Sequence, residues 1–173
     1  MMARLSLLLK HRWREATLAR NSLPEALLSR LAQQVSASEE QHSGEIRVMV
    51  EAGLPLSYLW HDAPLAQLIR QRAISQFGKL RVWDTAQNNG VLIYLLLAER
   101  RIEVLADRGL SERVPGEVWQ SVVSRMGAAF AEGDFETGLT RAIEQVSALL
   151  QQHFALEAGA NNPNELPDQP HLG

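Results

Sequence analysis

The sequence contains no cysteine. That excludes a disulfide framework, a thiol nucleophile and any thiolate-held zinc or iron–sulfur centre. Charge of one sign is also lacking, with a formal net of −3 over 173 residues, so there is no global nucleic-acid footprint. Aromatic residues make up 6%. The four tryptophans, Trp13, Trp60, Trp83 and Trp119, are too scattered for a base-stacking platform and read as core or interface residues. No long apolar run is present. The longest, Val91 to Ala98, is about half of what a spanning helix needs. The Leu5–Leu9 run enters a basic cluster instead of a cleavage site, so no secretory signal is expected and the reading is cytoplasmic. Gly-x-Ser-x-Gly, Gly-x-Gly-x-x-Gly and a phosphate-cradling loop are all missing.

What is present is an ordinary globular composition, 46% apolar, long enough to bury a core without staples. The modest net charge hides an asymmetry. Residues 1–30 hold six Lys/Arg against two acids, a net of +4, and the rest hold eleven against eighteen, a net of −7. The sequence divides into a basic amphipathic arm (1–21), an α/β body (22–155) and an extended tail (156–173). The arm suits either an anionic membrane surface or an acidic protein face.

Along the body, apolar spacing at Leu27, Leu28, Leu31 and Val35 predicts a helix to about Glu40. Glu45–Glu51 alternates, with Ile46, Val48 and Val50 on one side and Glu45, Arg47, Met49 and Glu51 on the other, which predicts a half-buried strand. A helix is expected from Leu65 to about Phe77, and Lys79–Trp83 reads as a strand or a helix end. Asp84–Gly90 is a loop by composition. Val91–Leu97, apolar on both faces, is the expected central strand. A two-residue turn at Glu99-Arg100 returns it as Arg101–Ala106. Helices from about Pro115 to Ala131 and from Asp134 to Phe154 close the body, with Asp134 as an N-cap. The fold class is α/β: a three-layer α/β/α sandwich around a mixed sheet of three or four strands.

Several segments taken together resemble the TPM domain family, named for thylakoid-lumen, photosystem and receptor-associated members. They are Gly44-Glu45-Ile46-Arg47-Val48-Met49-Val50, Asn88-Asn89-Gly90-Val91-Leu92-Ile93, Arg100 in the turn, Asp107-x-Gly109-Leu110 and Phe130-x-x-Gly133-Asp134-Phe135-x-x-Gly138-Leu139. The likeness covers about residues 39–150. The stretches Glu39-x-x-His42-x-Gly44-Glu45 and Asn164-Glu165-Leu166-Pro167-Asp168 resemble the branch without a secretion signal. Exported members carry such a signal and often a C-terminal membrane helix, and commonly show Gly where this sequence has Asp107. The resemblance implies an α/β/α sandwich, divalent-metal (calcium) binding in some members and phosphatase activity in others.

The residues themselves suggest three candidate sites. Pairing through the two-residue turn sets Asp107 opposite Leu92, beside the Asp84–Gly90 loop, so Asp84, Asn88, Asn89 and Asp107 form a candidate oxygen-ligand set for Ca²⁺ or Mg²⁺. The same residues are ordinary turn formers. Glu39, His42 and Glu45 form a second metal candidate, since Glu and His three apart share a helix face. Arg100 is a candidate anion-binding residue at the opposite sheet end, or a solvated turn residue. The Glu132–Glu136 segment lacks EF-hand spacing. No organic cofactor is expected.

The function these observations favour is a non-catalytic regulatory or assembly module that binds a divalent metal at a sheet-end loop and works with a protein or membrane-surface partner. The alternatives are a metal-dependent phosphatase using Asp84 and Asp107, and a membrane-surface adaptor acting through the arm.

Overall fold

The structure, a computed structural model, describes residues 23–157 and 162–173. The expected arm lies outside them. In order, the elements are α1 (Glu25–Glu39), β1 (Ile46–Glu51), α2 (Leu56–Leu59), α3 (Leu65–Lys79), β2 (Val91–Leu96), β3 (Arg101–Ala106), α4 (Arg108–Ser111), α5 (Gly116–Glu132), α6 (Phe135–Phe154) and β4 (His171–Leu172). Four helices begin directly after a proline (Pro24, Pro55, Pro64 and Pro115) whose ring fixes φ for the entry. Asp134 caps α6 by accepting the Thr137 N–H.

The sheet has four strands in the order β3-β2-β1-β4. β1 runs parallel to β2 and to β4, and β3 is antiparallel to β2. Each face of the sheet carries its own core. Val48, Ile93, Leu95 and Val104 pack under α1, α5 and α6, and Met49, Leu92, Tyr94 and Leu105 pack under α2 and α3. The result is the α/β/α sandwich. β2 is buried along its whole length, at about 1.5–3 kcal/mol for each large apolar side chain removed from water. Lys79–Trp83 is a helix end, with Val82 folded back into the second core.

Three local expectations change. First, the β2–β3 connection has four residues. Leu97–Glu99 form a 3-10 turn and Arg100 takes φ 50°, ψ 41°. A two-residue type I′ hairpin turn needs positive φ at both central residues, and of Glu99 and Arg100 only Arg100 adopts it. The observed pairing, Val91 with Ala106, is therefore shifted by two residues from the expected one. An even shift keeps every side chain on its face and moves Asp107 from opposite Leu92 to the level of Gly90, whose carbonyl accepts the Asp107 N–H.

Second, β1 is not half-buried: all six residues are buried. Its polar side is covered by α3 and by the C-terminal segment, which supply partners for Arg47 and Glu51. Third, of the tryptophans read as core or interface residues, Trp60 and Trp83 are not in the core, at 74% and 49% exposure. The C-terminal segment is extended but docked. Leu166 enters the second core and His171–Leu172 pair with Met49–Val50.

Candidate functional site

One end of the sheet gathers most of the candidate residues, because β1 and β2 begin there and β3 ends there. The parallel pair thus presents its amino ends, so the usual preference of α/β sheets for ligands at carboxyl ends does not apply to it. The Asp84–Gly90 loop wraps this end and is fastened from both sides. Asn89, fully buried, donates through Nδ2 to the Ser43 carbonyl at 3.0 Å, and the Ser43 hydroxyl donates to Gln87 at 3.2 Å. On the β3 side the Gly109 N–H reaches the Asn88 carbonyl at 2.8 Å. A Cβ at Gly109 would stand 2.4 Å from the Gln87 carbonyl oxygen, so only glycine permits this approach.

Asn88 and Asp107 are brought together around Arg108. Asn88 Oδ1 accepts from the Arg108 guanidinium at 2.9 Å, and Asp107 Oδ1 accepts the Arg108 backbone N–H at 2.7 Å as the N-cap of α4. Asn88 holds φ 52°, a left-handed conformation that Asn tolerates. At this end of the sheet two buried oxygens have no hydrogen-bond partner among the described residues: Asn89 Oδ1 and Asp107 Oδ2. An acceptor left in that state loses its hydration without compensation. Asp84 takes a different course. It is exposed and ion-pairs with Arg81, three residues earlier.

The second candidate set lies at the same sheet end, on the β1 side. Glu39 is buried and its Oε1 accepts the Ile46 N–H at 2.9 Å. Burial, above all, pushes its carboxyl up to about 8; the Ile46 hydrogen bond opposes that, and the charges of Glu45 and Asp168 add to it. Glu45 accepts the N–H groups of Glu165 and Leu166, and burial raises its pKa as well. His42 has no exposed surface. Its Nδ1 meets the Gly44 carbonyl at 2.9 Å and its Nε2 the Ser147 hydroxyl at 3.2 Å. Burial lowers its pKa, so the ring is neutral, donating from Nδ1 and accepting at Nε2. Glu39 and Glu45 are thus near neighbours, while both nitrogens of His42 are occupied by protein partners. Among the described residues, no group of three or more His, Asp or Glu is arranged to hold a metal ion.

Arg100 lies at the far end. Its guanidinium donates to the Ala131 carbonyl at 2.7 Å, at the C-terminus of α5 and beside Gly133, where a cation complements the helix dipole. Sequence reasoning missed Arg108, Ser43, Arg47 and the buried Glu51–Arg72–Tyr94 group. The signal for Arg47 and Glu51 was available: a charged residue beside a β-branched run is solvent-facing only if nothing covers that face.

Comparison with known proteins follows the same lines. The TPM domain family model matches residues 19–149. Among solved structures, the BA42 protein of the psychrophilic bacterium Bizionia argentinensis is similar, at 25% identity over 87% of this chain and 95% of that one, with a TM-score of 0.74. The N-terminal domain of a P. gingivalis protein shares the fold, at 21% identity, 79% and 83% coverage and a TM-score of 0.55. No curated protein matches the chain. Among the described residues, no helix is long and apolar enough to cross a membrane.

Proposed function

The chain belongs to the TPM domain family, and on that footing we propose that it is a non-catalytic regulatory or assembly module whose sheet end takes up a divalent cation, calcium or magnesium. The observation that carries this reading is the pair of buried, unpartnered oxygens, Asn89 Oδ1 and Asp107 Oδ2. Both are hard donors of the kind these cations take. They sit at one level of the sheet, since Gly90, next to Asn89, bonds to Asp107. Asn89, Asp107 and Asn88 would hold the ion. The Arg108 guanidinium now on Asn88 Oδ1 would give way to it. Bound there, the ion supplies positive charge that fastens the Asp84–Gly90 loop to the start of α4.

The placement of the two aspartates supports a holding role over a reacting one. A phosphatase would need Asp84 and Asp107 at one reacting atom, and Asp84 is paired with Arg81 while Asp107 caps α4. The partner on this reading is a protein or an anionic membrane surface, met in the cytoplasm through the +4 segment of residues 1–30.

Thermal melting during calcium and magnesium titration tests the proposal. A bound ion raises the melting temperature by mass action. Asp107→Asn, whose amide oxygen still caps α4, is expected to abolish the rise while leaving the metal-free melt within a few degrees. If no divalent ion shifts the melt, the cation reading fails. Turnover of a simple phosphomonoester that is lost in Asp107→Asn would replace it with the phosphatase reading.

A further inference from the structure

The C-terminal segment lies against the outer edge of β1, and its fastening is mainly polar. Each oxygen of Glu45 accepts one backbone N–H, from Glu165 and from Leu166, both at 3.1 Å. Arg47 donates to the carbonyls of Pro167 and Gln169. Asn162 Nδ2 donates to the Glu39 and His42 carbonyls at 3.0 and 3.3 Å. Only His171 and Leu172 have strand pairing, and Leu166 is the one large side chain the segment buries.

The charged and titratable groups facing this clasp come from every element around it. α1 and its end supply Glu39 and Glu40, which line a polar cavity of about 340 Å³ with Asn162 and Asn164. The turn supplies neutral His42. Glu45 and Arg47 come from the start of β1, and Glu165 and Asp168 from the segment itself. Arg47 is the one cation in this set.

We propose that residues 162–172 form a latch on the β1 edge, shut while the Glu39–Glu45 pair holds a proton and released when both carboxylates are ionised. With one proton on the pair, Glu39 is neutral and still accepts the Ile46 N–H through its carbonyl oxygen. Glu45 is then the one anion of the pair, held by two backbone N–H groups, while Arg47 faces Asp168. Loss of that proton puts a second buried negative charge beside Glu45 and Asp168, with no second cation among the described residues to meet it. Lifting the segment hydrates both carboxylates. It also uncovers the Met49–Val50 backbone and the recess that Leu166 fills. The raised pKa of Glu39, about 8, and the raised pKa of Glu45 give the direction: the latch is shut below that range and opens as pH rises through it.

The absence of cysteine makes a specific probe available. Leu166→Cys places the only thiol of the chain at the buried anchor. Its rate of reaction with Ellman's reagent, divided by that of a small free thiol at the same pH, reports opening alone. We expect this ratio to rise about tenfold or more between pH 6.5 and 9, the change that one unit of pKa difference produces, with the far-UV circular dichroism unchanged. Adding Glu39→Gln is expected to keep the ratio low at both pH values. An unchanged ratio, a rise that survives Glu39→Gln, or loss of the dichroism signal at pH 9 overturns the proposal. If Leu166→Cys does not fold, amide exchange at Glu165 and Leu166 in the unsubstituted chain, corrected for intrinsic rate, decides instead. Protection lost above pH 8 supports the latch, and constant protection overturns it.

Discussion

Glu45 and Arg47, two residues apart on one side of the chain as it enters β1, hold the same C-terminal segment by opposite means. The carboxylate takes backbone N–H groups from residues 165 and 166, and the guanidinium gives protons to carbonyls of residues 167 and 169. The alternation that marked these side chains as solvent-facing was the correct period with the wrong surroundings. Arg47→Ala removes the donors and leaves Asp168 without the cation that faces it. It is expected to cost about 2 kcal/mol, as for hydrogen bonds to a charged group. A lower urea midpoint with an unchanged m-value would check it, together with faster amide exchange in the segment.

Stability should depend on pH through Glu39. Its carboxyl stands at about 8 in the folded chain against an ordinary 4.5, so the folded state binds the proton more tightly than the unfolded one. The sign follows: the contribution is fully present below about 4.5 and lost as pH rises through about 8, at up to about 1.4 kcal/mol per unit within that window. Glu39→Gln keeps an acceptor for the Ile46 N–H and carries no charge. Unfolding free energies at pH 5 and pH 8.5 are expected to be closer together for Glu39→Gln, and higher than those of the unsubstituted chain at pH 8.5.

Beneath α3, Tyr94 donates its hydroxyl to Glu51 at 2.6 Å, and Arg72 grips the same carboxylate from the helix. Breaking this group from its two sides should have unequal effects. Tyr94→Phe removes one donor and leaves the ion pair, so about 1.5–3 kcal/mol is expected. Glu51→Ala leaves a largely buried guanidinium without its anion, and about 3–5 kcal/mol is expected. Denaturant titration of the two variants gives the ranking, and the reverse order would show that Arg72 finds another acceptor.

Gly90 tests how rigidly the candidate site is framed. A Cβ there would lie 2.0 Å from the Val82 carbonyl oxygen, which is backbone and has little freedom to move. Gly90→Ala is expected to destabilise the chain by about 3 kcal/mol or more. It should also widen the loop enough to weaken any calcium-dependent rise in melting temperature. Gly78→Ala, where nothing stands within 4 Å of the added methyl, is the matching control and should be neutral or slightly stabilising.

The fold was more legible than the site, for reasons that individual residues make plain. Val91–Leu97 announced a strand covered on both faces because seven apolar residues in a row tolerate no solvent side. Asp134 announced a helix start because its side chain does the capping locally. The pairing level of Asp107 was not legible, because it depends on Arg100 accepting a left-handed conformation, which is unusual for that residue type. The parting of Asp84 from Asn88 and Asp107 was equally hidden. A surface carboxylate goes to the nearest cation, and Arg81 is three residues away. Burial of Glu39 and Glu45 depends on a segment about 120 residues later in the chain, and no local pattern records that.

That distance bears on how the chain is made. Met49 meets His171 across β1 and β4, so β1 leaves the ribosome long before its outer neighbour exists. Throughout that interval one edge of the parallel pair stands open, with Glu45 and Arg47 hydrated and uncommitted. Closure of this side of the sheet waits until residues 162–172 have been made, and a ribosome that stalls before them releases a sandwich with a bare seam.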